Sequence, residues 1–202
     1  MPPSADVEDA LLERWLEEVL ATPGLTACSD HRSAREVLLE DALRATGIVA
    51  ATPGRIVDVG SGGGSPGVPL AVAHPDRDLT LLEAERRKAQ FLETITEGLR
   101  NVEVVWGRAE SQPVEAWGVA LAKALAKPPV AAELTLPLVH VGGVAVLWVG
   151  DTADRDHVAR VARAVGGDLE EDHDGLLVLR KAEPTPPGFP RRPGMAKKRP
   201  LP

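Results

Sequence analysis

Hydrophobic and polar residues follow two different periods along this chain. In residues 6–21 the apolar side chains recur every three or four positions, which is typical of one face of a helix. A second helix is predicted for residues 33–46. After Pro53 and Gly54, short apolar runs typical of buried strands alternate with further helical segments. The strands are expected at 55–59, 78–83, 102–106, 118–122, 144–149, 168–172 and 176–181, with helices at 66–73, 85–98, 129–138 and 152–165.

This alternation predicts an α/β fold of the Rossmann-like kind, with a mostly parallel sheet and helices on both faces. The last two strands depart from it, because residues 172–175 form a turn signal between them. We therefore expect an antiparallel C-terminal hairpin. Three regions follow: an N-terminal helical extension in residues 1–50, the α/β domain in 51–182 and a tail in 183–202.

The predicted tail is rich in proline and basic residues. Its seven prolines disfavour helix and central strand, so we expect extended or disordered chain that could become ordered on a partner. Five cations against Glu183 give it a charge of +4, whereas the whole chain carries −7. A body this acidic argues against general nucleic-acid coating, but the tail could still contact a polyanion.

Composition narrows the class of protein further. A hydrophobic fraction of 44% is sufficient for a sizeable core, and the single cysteine, Cys28, excludes an internal disulfide. The histidines lack metal-ligand spacing, so no metal site is expected. No apolar run approaches the roughly 20 residues of a membrane span, and the N-terminus lacks the features of a signal peptide. A cytoplasmic protein without membrane attachment is the expectation.

The candidate chemistry begins at the end of the first predicted strand. An acidic residue there precedes a glycine-rich turn, a pattern typical of a nucleotide-type cofactor pocket, because glycine lets the backbone approach a ligand closely. A carboxylate facing the pocket would repel a pyrophosphate but suit a sulfonium, which favours S-adenosylmethionine (SAM). The alternative is a tight turn without a ligand. The candidate cofactor-binding residues are Asp58, Gly60, Ser61, Gly62, Gly64 and Pro66.

Two later strand ends offer further candidates. Glu83, followed by Ala84, ends the second predicted strand and could accept hydrogen bonds from a ribose diol, although a surface glutamate is the simpler alternative. Arg108, Ala109 and Glu110 follow the third strand, where an adenine ring would lie. A plain loop is an equally good interpretation of this segment.

Four stretches together resemble the bacterial small-subunit ribosomal RNA methyltransferase G family, RsmG, also called glucose-inhibited division protein B (GidB). They are residues 56–71, 79–92, 107–110 and 189–201, and the extension of the glycine turn through Pro66, Gly67 and Pro69 is the most diagnostic part. The resemblance implies a SAM-dependent enzyme that methylates N7 of a guanine in 16S ribosomal RNA. It also implies that the 30S subunit is the partner, reached through the basic tail and an acceptor cleft.

The differences from the family lie on the acceptor side. An Arg-His pair usual in the second helix is replaced by apolar residues near Leu38 and Leu39, and Val149 stands where a lysine is usual. Lys123 replaces an arginine after the fourth strand. It is the candidate catalytic residue, able to hold guanine O6 or a phosphate, and a candidate contact for the cofactor; the alternative is a solvated lysine.

Three other functions stay open at this point. A diverged methyltransferase could use another acceptor, and a SAM- or RNA-binding protein could lack catalysis. An NAD-binding domain is a more distant alternative, because Asp58 precedes the glycines and no substrate domain follows. The chain is expected to act as a monomer.

Overall fold

The computed structural model describes residues 5–173 and 175–202. Residues 1–4 of the predicted extension and Asp174 of the predicted turn lie outside the described residues. The strands are β1 (Ile56–Val59), β2 (Leu79–Glu83), β3 (Val102–Trp106), β4 (Trp117–Ala122), β5 (Val139–Trp148), β6 (Gly167–His173) and β7 (Leu176–Lys181).

These strands form one mixed sheet in the order β3-β2-β1-β4-β5-β7-β6. β1 to β5 are parallel, and β7 runs antiparallel to both β5 and β6. The predicted Rossmann-like fold with an antiparallel C-terminal hairpin is therefore confirmed. The chain leaves β1 toward β2 on one side and returns to β4 on the other. That change of direction opens a crevice at the carboxyl ends of the strands, where α/β proteins bind ligands.

The helices cover both faces of the sheet. They are α1 (Ala5–Ala21), α2 (His31–Ala34), α3 (Asp41–Leu43), α4 (Thr46–Ala51), α5 (Gly67–Ala73), α6 (Arg86–Ile95), α7 (Pro128–Thr135), α8 (Arg155–Ala164) and α9 (Met195–Lys198). The second predicted helix is interrupted, since a π-helical segment, Arg35–Glu40, separates α2 from α3. Such segments are frequent at functional sites.

Alternate residues of each central strand enter two separate cores. On β1, Ile56 packs with α1, α5 and α6, whereas Val57 packs with α7 and α8. Both are fully buried, so this strand is covered on both sides. Among the described helices, none has the length and hydrophobicity to cross a membrane.

The C-terminal segment, residues 183–202, is ordered against the second core. Ala196 in α9 is 1% exposed, and Phe189 and Leu201 pack against the α7 and α8 layer. The alternative of a disordered tail was therefore wrong, whereas residues 182–194 contain no helix or strand, as the proline content predicts. Proline restricts the backbone but does not prevent packing, and these apolar residues supply surface to bury. The proposed boundaries at residues 50 and 182 stay a prediction.

Candidate active site

A cavity of about 480 Å³ lies at the carboxyl ends of β1 to β4. Each of these strands leads into a segment that lines it, because parallel strands end at one edge of the sheet. The predicted site residues on its wall are Gly60, Ser61, Gly62, Glu83, Ala84, Arg108, Ala109, Glu110 and Lys123. The structure thus brings together nine residues that are spread over 64 positions of the chain, from 60 to 123.

The glycine turn is fixed to the neighbouring strand by its backbone. The amides of Gly60 and Ser61 both donate to the carbonyl of Leu82, at 2.7 and 3.2 Å. Gly60 and Gly62 have φ values of +78° and +56°, which favour glycine. A Cβ added at Gly62 would meet only the Gly60 carbonyl, at 3.8 Å, so a ligand can approach the backbone there.

Glu83 joins this turn to the end of β2. Its Oε2 accepts from the Gly62 amide at 2.9 Å and its Oε1 from the Glu85 amide at 2.7 Å. The residue is only 8% exposed, yet it lines the cavity. A carboxylate offers about four acceptor positions, so two hydrogen bonds leave capacity for the hydroxyls of a ligand.

Asp58 lies behind the turn and not on the cavity wall. It is 1% exposed, and its Oδ2 accepts from the amide of Gly67 at 3.0 Å, at the start of α5. Burial raises the pKa of the Asp58 carboxyl to about 7, against the opposing effect of the Gly67 hydrogen bond. The expectation that this carboxylate faces the pocket was wrong; within the structure it positions α5 behind the turn.

Gly64 and Pro66 also lie away from the cavity wall. A Cβ on Gly64 would come within 2.9 Å of Trp15 Nε1, so this glycine allows α1 to pack closely. Trp15 Nε1 in turn donates to the Gly63 carbonyl at 2.8 Å. Pro66 is buried directly before α5. Gly64 and Pro66 therefore contact α1 and α5 and not the cavity.

Lys123 is held by the N-terminal extension and is only 14% exposed, so the alternative of a solvated lysine was wrong. Its Nζ lies 2.5 Å from Asp41 Oδ2 and donates to the carbonyl of Val37. Asp41 also accepts from Arg44 at 2.8 Å. Burial acts to raise the pKa of Asp41, but the hydrogen bonds from Lys123 and Arg44 outweigh it and lower the pKa.

Two groups of lining residues were not predicted from the sequence. The first group comes from the N-terminal extension, and the second from the C-terminal segment. They comprise Val19, Leu25, Thr26, Ala27, Cys28, Val37, Leu38, Gly194 and Lys197. The family resemblance places Leu38 on the acceptor side and the tail toward the RNA, but neither the helical pattern of the extension nor the apolar residues of the tail predicts that these segments line the cofactor cavity.

The cavity fits a nucleoside-type cofactor in its chemistry. Glu83 offers carboxylate oxygens, residues 60–62 offer close backbone approach, and Val59, Leu82 and Leu134 add apolar wall. This mixture of a few polar groups with apolar side chains is typical of small-molecule sites. Hydroxyls and a flat ring could both be accommodated.

The sequence is similar to those of known ribosomal RNA methyltransferases. A relative from Rubrobacter xylanophilus, a ribosomal RNA small subunit methyltransferase G, is 37% identical over 196 residues, covering 84% of this chain and 75% of its own. The equivalent protein of Moorella thermoacetica is 32% identical over 197 residues, covering 88% and 82%.

Solved structures support the fold alone. A Burkholderia thailandensis 1,6-didemethyltoxoflavin-N1-methyltransferase with bound S-adenosylhomocysteine is 13% identical, with a TM-score of 0.56 over 91% of this chain and 93% of its own. A T. thermophilus 16S rRNA N2 G1207 methyltransferase in complex with AdoMet and guanosine is 17% identical, with a TM-score of 0.52 over 67% and 37%.

The family comparison is more specific than these structural similarities. Residues 10–167, most of the chain, match the GidB family, described as rRNA small subunit methyltransferase G. The matched region includes the glycine turn and both later strand ends that line the cavity. This confirms the resemblance found in the sequence: the chain belongs to the GidB family of small-subunit ribosomal RNA methyltransferases.

Proposed function

We propose that this protein transfers a methyl group from SAM to N7 of a guanine in 16S ribosomal RNA. The observation that carries the proposal is the cavity at the carboxyl ends of β1 to β4, with Glu83 beside the glycine turn, in a chain of the GidB family. We further propose that it acts as a monomer on the 30S subunit, in the cytoplasm.

The proposed cofactor site divides among three strand ends. Glu83 would accept hydrogen bonds from the ribose hydroxyls, and residues 60–62 would contact the amino-acid part through their backbone. Ala109 and Glu110 would lie beside the adenine. SAM supplies an electrophilic methyl group on a sulfonium. Its positive charge is compatible with the Glu83 carboxylate nearby.

Guanine N7 carries no proton at neutral pH, so the reaction needs no general base. It needs N7 aligned with the methyl group and water excluded from the site. Val37, Leu38 and Leu125 supply apolar wall near Lys123. An ammonium has three donors, and two of those on Lys123 contact Asp41 and Val37, so the third is proposed to donate to guanine O6.

Replacing Lys123 by methionine should lower the turnover number on 30S subunits by about 10- to 100-fold, since the proposed hydrogen bond from its ammonium to guanine O6 is lost. The affinity for SAM should change by less than about threefold. Lys123→Arg is the matched control, because it keeps the cation and should retain most activity. A methionine variant with wild-type turnover would exclude Lys123 from the acceptor site.

Replacing Gly60 by alanine should weaken SAM binding by about tenfold. The new Cβ would lie 2.5 Å from Leu125 Cδ1 and push this side chain, which lines the cavity, out of place. Gly98→Ala is the control, because Gly98 also has a positive φ, +100°, but nothing lies within 4 Å of its Cβ position. Calorimetric titration with SAM should separate the two; equal affinities would contradict the proposed placement of the cofactor.

The function is tested by incubating the protein with 30S subunits and tritiated SAM. Label in 16S RNA is the expected result, and unlabelled RNA with intact SAM binding would favour a different acceptor or a protein without catalysis. Calorimetry with SAM and with NAD tests the cofactor separately. Binding of NAD alone would overturn the proposal at its first step.

A further inference from the structure

The C-terminal segment, residues 183–202, forms part of the cavity wall. Gly194 and Lys197 line the same cavity as the glycine turn and Glu83. Gly194 donates its amide to Glu110 Oε1 at 2.8 Å, and Lys197 Nζ contacts the Leu125 carbonyl at 3.3 Å. The segment therefore contacts the loops after both β3 and β4.

An ion pair between Arg191 and Glu133 anchors this segment to α7. Arg191 Nε donates to Oε1 and Nη2 to Oε2, both at 2.6 Å, which is the two-pronged geometry of a strong guanidinium–carboxylate pair. The side chain of Glu133 is 3% exposed, and that of Arg191 is 21% exposed. The hydrogen bonds that Arg191 donates to Glu133, together with the negative charge of Glu133, raise the pKa of Arg191, so this cation stays protonated.

Both residues of the Arg191–Glu133 ion pair are close in sequence to residues that line the cavity. Glu133 precedes Leu134, which lines the cavity, and Arg191 stands three residues before Gly194. Arg191 also donates through Nη1 to the Arg199 carbonyl at 2.9 Å, across α9. Ala196 in the same helix is buried, so α9 packs against the α7 and α8 layer.

We propose that the C-terminal segment is a wall of the SAM site and that Arg191, paired with Glu133, is the positioning residue that holds this wall against Glu110 and Leu125. This rests on the proposed function. Arg191 is therefore used inside the protein, whereas the neighbouring Arg192, Lys198 and Arg199 are exposed and remain accessible to RNA.

The test compares two adjacent arginines. Arg191→Gln should weaken binding of S-adenosylhomocysteine by about tenfold or more in calorimetry, because the wall loses its anchor. Arg192→Gln, at an exposed position, should bind within about twofold of the wild type. Glu133→Gln should give an intermediate loss, since an amide oxygen still accepts one of the two hydrogen bonds.

Kinetics separate a positioning role from a purely structural one. In Arg191→Gln the KM for SAM should rise, while the turnover number at saturating SAM and the KM for 30S subunits stay near the wild-type values. A fall in the turnover number with an unchanged KM for SAM would overturn the proposal.

A measurement on the wild-type protein covers the case in which the variants fail to fold. S-adenosylhomocysteine should slow amide hydrogen exchange in residues 191–199, through ordering of the bound wall. Ligand binding with unchanged exchange there would overturn the inference. If the wild type did not bind the ligand at all, the proposed function itself would fail.

Discussion

Replacing Glu83 by alanine should weaken SAM binding by about 10- to 100-fold. The carboxylate accepts from the backbone amides of Gly62 in the turn and of Glu85 before α6, so its removal leaves both amides without their acceptor. It also removes the proposed acceptor for the ribose hydroxyls. Losing hydrogen bonds to a charged group costs about 1.5–3 kcal/mol, which corresponds to this change in affinity.

Calorimetric titration of SAM measures this effect, and two further variants sharpen it. Glu83→Gln keeps one acceptor oxygen and should fall between alanine and wild type. Glu93→Ala, on the exposed side of α6, makes the same chemical change away from the cavity and should leave the affinity unaltered. If Glu83→Ala bound SAM like the wild type, the cofactor would not lie against the end of β2.

Replacing Asp58 by asparagine should remove a pH-dependent loss of stability. Burial raises the pKa of Asp58 from 3.8 to about 7 in the folded protein, so the folded state binds a proton more tightly than the unfolded state. Stability contributed by the protonated carboxyl is complete below about pH 4 and is lost as the pH rises toward 7. A difference of about three pKa units between the folded and unfolded states corresponds to about 4 kcal/mol of unfolding free energy.

Urea unfolding between pH 4 and 8 tests this effect. The unfolding free energy of Asp58→Asn relative to the wild type should rise through that range and become constant above pH 8. Asp76→Asn, on the surface, controls for the change in net charge. A relative stability of Asp58→Asn that is independent of pH would show that this carboxyl does not titrate differently on folding.

The cofactor end of the site could be predicted from the sequence because its residues follow strands. Gly60 follows β1, Glu83 ends β2 and Glu110 follows β3, which places all three at one edge of the parallel sheet. The direction of the Asp58 side chain could not be predicted in the same way. Side chains alternate between the two faces of a strand, and both faces of β1 are buried. The sequence pattern therefore does not show on which face the Asp58 side chain lies.

The acceptor end and the C-terminal wall depend on contacts between distant parts of the chain. Lys123 contacts Val37, 86 residues earlier, and Gly194 contacts Glu110, 84 residues earlier. Local periodicity carries no information about such pairs. Proline content suggested an extended or disordered tail, whereas the structure packs Phe189 and Leu201 against the α7 and α8 layer and pairs Arg191 with Glu133.

The identity of the methylated nucleoside decides whether the proposed reaction is correct. 30S subunits that lack the N7 methyl group on the target guanine would be incubated with the protein and SAM. Their 16S RNA would then be digested and analysed by mass spectrometry. We expect 7-methylguanosine in the RNA treated with the wild type and much less of it with Glu83→Ala at limiting SAM. A methylated product other than 7-methylguanosine, or none despite bound SAM, would contradict the proposed reaction.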